Sequence, residues 1–168
     1  MPITYIDYNS PIGLLYIISD NLGILNITTQ HPPINVIAQQ SIHSNLCSTA
    51  LSEYFIGKRT NFKDISISPN IEGTNFQKQV WQALLNIPYG SISSYTQIAK
   101  AIKNPHACRA VGNANHCNPI PIMIPCHRVI GANGSLTGYA LGLEVKQYLL
   151  NLESKLISHL EKNLRWDI

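Results

Sequence analysis

The apolar run 118–130 contains three prolines and places one cysteine, Cys126, directly before His127. It reads Asn-Pro-Ile-Pro-Ile-Met-Ile-Pro-Cys-His-Arg-Val-Ile. A cysteine that only fills a core needs no cation beside it. A reactive cysteine does, because the nucleophile is the thiolate and a neighbouring imidazole lowers the free energy of forming it. The run therefore predicts a reactive cysteine.

The length of 168 residues allows one domain or two small ones, and 45% hydrophobic residues is ordinary for a globular protein. No apolar run is long enough to span a bilayer, and the N-terminus lacks a basic segment followed by an apolar core. We therefore expect a soluble protein without an export signal, cytoplasmic or, in a eukaryote, nuclear.

The four cysteines form no Cys-x-x-Cys pair of the kind that structural zinc sites use. An intracellular setting keeps thiols reduced, and a chain with an ordinary core does not need disulfides. Cys47, Cys108 and Cys117 are therefore expected to be inert. Residues 1–30 contain neither cysteine nor histidine, so no metal site is expected there.

The net charge of +3 is unevenly distributed. Residues 1–72 carry three basic and five acidic side chains, a net −2, whereas residues 73–168 carry nine basic and four acidic ones, a net +5. The half that contains Cys126 is the positive half, which suits a polyanion as its partner.

Alternating apolar residues and turn residues in the first half predict a small antiparallel sheet followed by a helix. Gly57 stands where a helix is expected to stop. The expected elements are strands at 3–8, 14–19 and 24–28, a helix at 46–56, an extended stretch at 62–67 that returns to the sheet, and a linker at 69–73.

The second half has the pattern of helices. Thr74 with Gln77, and Ser94 with Gln97, have the spacing of capping boxes, and Asn104 before Pro105 predicts a third helix start. The second and third of these helices form a helix-turn-helix pattern, whose second helix usually faces DNA. The expected helices are 74–86, 94–102, 104–115 and 142–153, with the last residues continuing as helix and tail.

Residues 74–153 resemble the O6-alkylguanine-DNA alkyltransferases, which carry Pro-Cys-His-Arg-Val at the active site. Residues 10–13 and 53–57 resemble the small N-terminal domain of that family less specifically. The matching residues are Phe76-Gln77, Val80-Trp81, Ile87-Pro88-Tyr89-Gly90, Ser94-Tyr95, Ile98-Ala99, Arg109-Ala110-Val111-Gly112, Asn118-Pro119, Ile124 to Ile130, Gly138-Tyr139, Lys146, Leu149-Leu150 and Glu153.

The resemblance implies an α/β (α+β) fold. Its first part, residues 1–72, would be a ribonuclease H-like scaffold with an antiparallel sheet and a helix. Residues 73–168 would form a mostly helical, winged helix-turn-helix-like domain that binds DNA and accepts the alkyl group.

The resemblance also implies a catalytic set. Cys126 would be the alkyl acceptor, His127 would act on it through a bridging water, Glu153 would orient His127, and Asn118 would brace the turn. Neighbouring residues of an extended segment point to opposite sides, so direct contact between Cys126 and His127 is not expected without a turn. Without the resemblance, Asn118 is equally an ordinary turn residue.

Further residues would bind the substrate. By resemblance, Tyr95 helps to turn the nucleotide out, Arg109 fills the gap in the base stack, and Lys146 lies near the pocket. Taken alone, Tyr95 could equally belong to the core, Arg109 could contact phosphate or solvent, and Lys146 with Glu153 could form a solvent-facing stripe. The expected substrate and DNA contacts are Tyr95, Arg109, Ala110, Val129, Tyr139, Ala140 and Lys146.

The implied function is single-use DNA repair. An alkyl group, mainly methyl, would pass from O6 of guanine (and O4 of thymine) in duplex DNA to Cys126 after the nucleotide is flipped out, with no cofactor and no metal. The partner would be duplex DNA containing O6-alkylguanine, bound by a monomer, with cooperative binding left open. Two alternatives remain: a non-catalytic binder of alkylated DNA, and a cysteine hydrolase or thiol redox protein.

One segment departs from the family pattern, at two positions. Some relatives have Ser-Gly-Gly after Gly138-Tyr139, whereas this chain has Ala140-Leu141-Gly142. Leu141 is bulkier than glycine and is expected to narrow the mouth of the pocket, which favours methyl over benzyl adducts.

Overall fold

The structure, a computed structural model, describes residues 2–164. The chain divides into two compact units. The first unit contains the chain up to Gly73 together with Pro119–Met123, and the second contains Thr74–Asn118 and the chain from Ile124 onward. A mixed α/β fold with a sheet in the N-terminal part and helices in the C-terminal part confirms the expected fold class.

A four-stranded sheet forms the first unit, in the order β3-β2-β1-β4. The strands are β1 (Thr4–Ser10), β2 (Gly13–Ser19), β3 (Ile24–Thr28) and β4 (Ile37–Ala38). The first three are antiparallel neighbours, and β4 runs parallel to β1. All three predicted strands are therefore confirmed, and β4 is an addition that its two-residue length hides in the sequence.

Helix α1 (Ile42–Phe55) covers one face of this sheet. It starts four residues before the predicted position, because Ser41 and Ser44 form a reciprocal capping box that lacks the usual glutamate or glutamine. Its buried side meets the buried side chains of the strands and forms the core of the unit. That core contains Leu15, Ile17, Ile24, Ile27, Cys47, Ala50, Leu51 and Tyr54.

The extended stretch expected at residues 62–67 does not return to the sheet as a strand. It meets β3 only in one parallel bridge between Ile24 and Ile67. The backbone of Ile24 donates to Ser66 O at 2.8 Å and accepts from Ser68 N at 2.9 Å. Gly23 allows this approach, because a Cβ there would lie 2.5 Å from Ser66 O.

Two of the expected capping boxes are confirmed in the second unit. Thr74 caps α2 (Asn75–Leu84), and Ser94 caps α3 (Tyr95–Ala101). In both, the hydroxyl of the capping residue accepts a hydrogen bond from the backbone N–H of the glutamine three residues later. The side-chain oxygen of that glutamine accepts one from the backbone N–H of the capping residue. These signals are read correctly from sequence because every atom involved lies within four residues of the chain.

The third helix, α4 (Cys108–His116), begins later than the sequence predicts. Asn104 and Pro105 do not cap it; Ala107 occupies the N-cap position without a side-chain hydrogen bond. The chain turns first at Lys103, whose φ is +60°, and Asn104 N then donates to Ala99 O at 2.9 Å. That turn joins α3 to α4, so the Asn-Pro pair lies in the connection and not in the helix.

The remaining elements position the segment around Cys126. Two short strands, β5 (Ser93–Ser94) and β6 (Val129–Ile130), pair in parallel. Strand β5 directly precedes α3, and β6 directly follows a single 3₁₀ turn at Cys126–Arg128. The last helix, α5 (Leu143–Leu164), confirms the prediction that the helix continues beyond 153. The predicted tail lies outside the described residues. Within residues 2–164, no helix combines the length and apolar character needed to cross a membrane.

Capping can be tested by comparing two substitutions. Ser94→Ala removes the acceptor for Gln97 N and is expected to lower the free energy of unfolding by about 1 kcal/mol. Asn104→Ala changes a residue that caps no helix and is expected to cost less than about 0.5 kcal/mol. Urea unfolding followed by circular dichroism measures both. A larger loss for Asn104→Ala would contradict the observed start of α4.

Candidate active site

Cys126 lies inside the protein at the start of the 3₁₀ turn, with 2% of its surface exposed. Its sulfur accepts a hydrogen bond from Asn118 Nδ2 at 3.0 Å. The same amide nitrogen donates to Ile124 O at 2.8 Å, so Asn118 holds both the turn and the sulfur. Ile122, between the two bonded residues, has a φ of +75°, a strained conformation for a β-branched side chain that costs about 1–3 kcal/mol.

The Cys126 thiol is protonated at neutral pH. Burial raises its pKa to about 11, and the Asn118 hydrogen bond and the charge of Lys146 offset this only in part. The expectation that an adjacent imidazole makes this cysteine a ready thiolate is therefore wrong for the resting protein. The side chain bonded to the sulfur is the Asn118 amide, and any reaction that uses the thiolate would first have to remove the proton.

His127 is fully buried, and its ring faces a carboxylate. Its Nε2 lies 2.7 Å from Glu153 Oε1. An ionised carboxylate only accepts hydrogen bonds, so Nε2 carries the hydrogen and Nδ1 is left as an acceptor. Nδ1 is buried and has no hydrogen-bond partner among the residues that the structure describes. Burial lowers the pKa of His127, so the ring is neutral and its Nδ1 is able to take a proton.

The extended segment expected around Cys126 is replaced by a turn. Cys126, His127 and Arg128 form one 3₁₀ turn, in which Arg128 N donates to Pro125 O at 3.0 Å. The rule that neighbouring side chains of an extended strand point to opposite sides therefore does not apply to Cys126 and His127.

Glu153, on α5, accepts hydrogen bonds from three residues in two segments of the chain. It accepts from His127, from Arg128 Nε at 2.9 Å and Nη2 at 3.0 Å, and from the backbone of Gly90 at 3.1 Å. Burial by itself raises the pKa of this carboxyl, but the hydrogen bonds from His127 and Arg128 bring it down to about 2. Gly90 has a φ of +74°, which glycine adopts without strain.

Sequence reasoning gave Arg128 no role, although it stands beside His127. In a positively charged half of the chain, an arginine is expected to be solvent-exposed. Instead its side chain is buried, donates to Ile87 O at 2.7 Å, and lies over the ring of Tyr89 at 5.6 Å. Its position within the matched Pro-Cys-His-Arg-Val segment is the only sequence signal that points to it.

Lys146 is fully buried on the same face of α5 as Glu153, which rules out a solvent-facing stripe. Its ammonium group donates to Val129 O at 2.6 Å and to Thr137 O at 3.0 Å. Burial lowers its pKa. Among the described residues it forms no ion pair with a carboxylate, so its positive charge faces the Cys126 region unneutralised.

The expected substrate residues fall into two groups. Tyr95 is half-buried; its hydroxyl donates to Thr137 O at 3.0 Å, and its ring lies 5.8 Å from Lys146 Nζ. Tyr139 is buried near His127, with 6.5 Å between ring centroids, and Val129 is buried as well. The second group is exposed and forms no hydrogen bond to this cluster in the described part of the chain: it contains Arg109, Ala110 and Ala140.

The described residues 2–164 contain no group of three or more His, Cys, Asp or Glu side chains arranged to hold a metal ion. The polar groups around Cys126 are instead an amide, an imidazole, a carboxylate, a guanidinium and an ammonium. This set suits proton transfer to and from one sulfur.

A buried cysteine with a neutral histidine–glutamate pair, on a helical unit that follows a small sheet-and-helix unit, defines a class of cysteine-dependent transfer proteins. Residues 75–155 match the family model described as the DNA binding domain of 6-O-methylguanine DNA methyltransferase, and residues 3–69 match its ribonuclease-like domain. The chain belongs to the O6-methylguanine-DNA methyltransferase family.

Individual relatives are similar over almost their whole length. The methylated-DNA–protein-cysteine methyltransferase of Methanosarcina acetivorans is 46% identical over 154 residues, which cover 89% of this chain and 97% of that protein. The protein of the same name from Haemophilus influenzae is 41% identical over 155 residues, covering 89% and 85%. A crystal structure of Mycobacterium tuberculosis OGT in complex with DNA has a TM-score of 0.84 and 41% identity, covering 91% of this chain and 94% of that one.

The protonation of Cys126 predicts a pH dependence of stability. The folded-state pKa of about 11 lies above the reference value of 9.0, so the neutral thiol contributes stability below about pH 9 that is lost as the pH rises through 11. The free energy of unfolding of the wild type should therefore fall over this range more than that of Cys126→Ser. Urea unfolding at a series of pH values measures the difference, since Cys47 titrates in both proteins. Equal slopes, or thiolate absorbance at neutral pH, would contradict the assignment.

Proposed function

We propose that this protein is a DNA-repair methyltransferase that moves an alkyl group, chiefly methyl, from O6 of guanine in duplex DNA to Cys126 Sγ, and accepts O4-alkylthymine in the same way. The observation that carries the proposal is the unpaired, buried cysteine served by a neutral histidine–glutamate pair. Such an arrangement makes a nucleophile only when a proton is removed, and it needs no cofactor.

The reaction balances within the protein and the damaged base. The Cys126 proton leaves towards His127 Nδ1 through a bridging water, the S–C bond forms, and the C–O6 bond breaks. His127 passes this proton on to N1 of the guanine, which is thereby released as ordinary guanine. The product thioether is not hydrolysed, so each molecule acts once.

The burial of Cys126 requires the base to come to the sulfur. A thiolate that is 2% exposed cannot reach O6 inside a base stack, so the nucleotide has to rotate out, at a cost of a few kcal/mol that is lower for a poorly paired base. We propose that Tyr95, Val129, Tyr139 and Ala140 shape the pocket. The Val129 carbonyl already accepts from Lys146 and retains a second lone pair for the base.

We propose that α4 is the element that enters the DNA. Arg109 and Ala110 are exposed on this helix, in the half of the chain that carries a net +5. Arg109 would fill the gap in the stack, and Ala110 would permit a close approach of the helix to the groove. The same positive charge would attract the phosphates independently of sequence, so binding should weaken as salt rises.

Several finer points belong to the same proposal. We propose that the chain acts as a monomer on duplex DNA, where the genomic DNA lies: in the cytoplasm of a prokaryote or the nucleus of a eukaryote. The first unit would act as the scaffold, and the second would bind DNA and accept the alkyl group.

Neither alternative accounts for the site as well. A protein that only binds alkylated DNA needs no acceptor, whereas here a cysteine is bonded to Asn118 and lies in the same turn as His127. A thiol redox protein needs a second cysteine close by, and all four cysteines are free. A cysteine hydrolase needs a base in direct contact with the sulfur, whereas here the Asn118 amide is bonded to Cys126 Sγ and His127 Nδ1 has no hydrogen-bond partner within residues 2–164.

Transfer is tested by mass spectrometry of the intact protein. After incubation with an excess of duplex containing O6-methylguanine, the wild type should gain one methyl group, located by peptide mapping on Cys126, and should then stop. Cys126→Ala should gain none while binding the duplex, and Cys117→Ala should behave as the wild type. An unmodified wild type that binds the duplex would favour the non-catalytic alternative, and repeated turnover on an ester would favour the hydrolase.

The size of the accepted adduct is tested at Leu141, which is half-buried. The wild type should react more slowly with O6-benzylguanine than with O6-methylguanine. Leu141→Gly should lower the ratio of the methyl rate to the benzyl rate by about tenfold, the usual effect of one steric contact in a pocket. Leu143→Ala, two residues on and exposed, serves as the matched control. Equal wild-type rates for the two adducts would remove the steric role of Leu141.

A further inference from the structure

The buried charges around Cys126 do not cancel. Arg128 and Lys146 are positive, Glu153 is negative, and all three have at most 6% of their surface exposed. With a neutral His127, the group therefore carries a net positive charge of one. A thiolate at Cys126 would bring the total to zero, whereas an imidazolium at His127 would add a second unpaired positive charge in a region with little water to screen it.

Arg128 is placed so that it neutralises Glu153. Its Nε and Nη2 donate to the two different oxygens of the carboxylate, at 2.9 and 3.0 Å, which is the bidentate geometry of strong ion pairs. Its third nitrogen, Nη1, is fixed by Ile87 O, and Tyr89 lies under the guanidinium. The carboxylate that His127 contacts is therefore not a free anion.

The arrangement of Arg128, Glu153 and His127 differs from the usual carboxylate–histidine pair. In a serine protease triad, the carboxylate stabilises the imidazolium that forms during the reaction. A carboxylate that already has a guanidinium on both oxygens attracts a proton on the imidazole much less, because the two charges cancel at a short distance.

We propose, on the basis of the function proposed above, that Arg128 is a positioning residue that cancels the charge of Glu153 and thereby keeps His127 neutral, so that its Nδ1 can accept the Cys126 proton and pass it on to N1 of the bound guanine. The net charge left over is that of Lys146, and it favours the thiolate. The reactive state is then a thiolate beside a neutral imidazole, not a thiolate–imidazolium pair.

The groups that face His127 from each neighbouring element agree with this assignment. They are Glu153 and Lys146 from α5, Cys126 and Arg128 from its own turn, and Tyr139 from the loop before α5. Tyr89, from the loop after α2, lies against Arg128. Burial lowers the pKa of His127, Glu153 raises it, and both Arg128 and Lys146 lower it further. Burial raises the pKa of both tyrosines, so they are uncharged.

The test is the titration of His127, followed by nitrogen NMR of the imidazole in the full-length protein without DNA. In the wild type, the His127 ring should stay neutral well into the acid range. In Arg128→Met, the Glu153 charge is uncompensated, and the midpoint should move to higher pH. Arg128→Gln, which keeps a donor but not the charge, should move it in the same direction and carries the test if Arg128→Met does not fold. Arg128→Lys, which keeps the charge, should remain close to the wild type.

The single-turnover rate of methyl transfer provides the second readout. For Arg128→Gln, the transfer rate at neutral pH should be about tenfold below the plateau that the same variant reaches at alkaline pH, because protonated His127 is no longer a base. The wild-type rate should stay constant between neutral pH and that plateau. A purely structural role for Arg128 would lower the rate equally at every pH. Arg59→Met is the matched control, since Arg59 likewise forms ion pairs with carboxylates, here those of Glu53 and Asp64 in the first unit.

The outcomes separate this inference from the proposed function. An unchanged His127 midpoint in the charge-removing variants would overturn the role of Arg128, and so would a shifted midpoint with a pH-independent rate. If the wild type transferred no methyl group, the proposed function would fail, while the titration would still report on the charge balance.

Discussion

The ionised carboxylate of Glu153 is the constraint on which the active site depends. An unpaired carboxylate in a protein interior costs many kcal/mol, so it is held there only by a full set of donors. Two segments supply such donors: the loop after α2 through Gly90, and the turn that carries Cys126 through His127 and Arg128. The carboxylate therefore fixes in one step where His127 and Arg128 lie relative to α5.

The burial of Cys126 has a functional consequence for a protein that is used once. With a pKa of about 11, the thiol is neither ionised nor accessible at rest, and it is protected from oxidants and unrelated electrophiles. We propose that its reactivity depends on a flipped nucleobase entering the pocket, because the proposed proton acceptor, His127, and the positive charge of Lys146 are already in place. Protection at rest and reactivity towards the lesion thus have the same structural origin.

The parts of the fold that sequence predicts correctly are those that local chemistry decides. The capping boxes at Thr74 and Ser94 involve atoms close together in the chain, and the predicted strands β1, β2 and β3 follow from alternating residues and turn signals. The prediction fails at Asn104-Pro105, where the turn at Lys103 places the pair in a connection. It also fails at residues 62–67, where Ile24 accepts only one bridge.

By itself, the sequence determined that Cys126 and His127 stand together, and its resemblance to a family connected them with Glu153, Asn118 and Lys146. Only the tertiary structure decided the electrostatics of the site. The bonds that set them join residues 25, 41 and 63 positions apart: Arg128 to Glu153, Arg128 to Ile87, and Gly90 to Glu153. Burial and charge compensation are properties of such distant contacts, which is why a sequence that identifies the reactive cysteine does not reveal that its resting form is the protonated thiol.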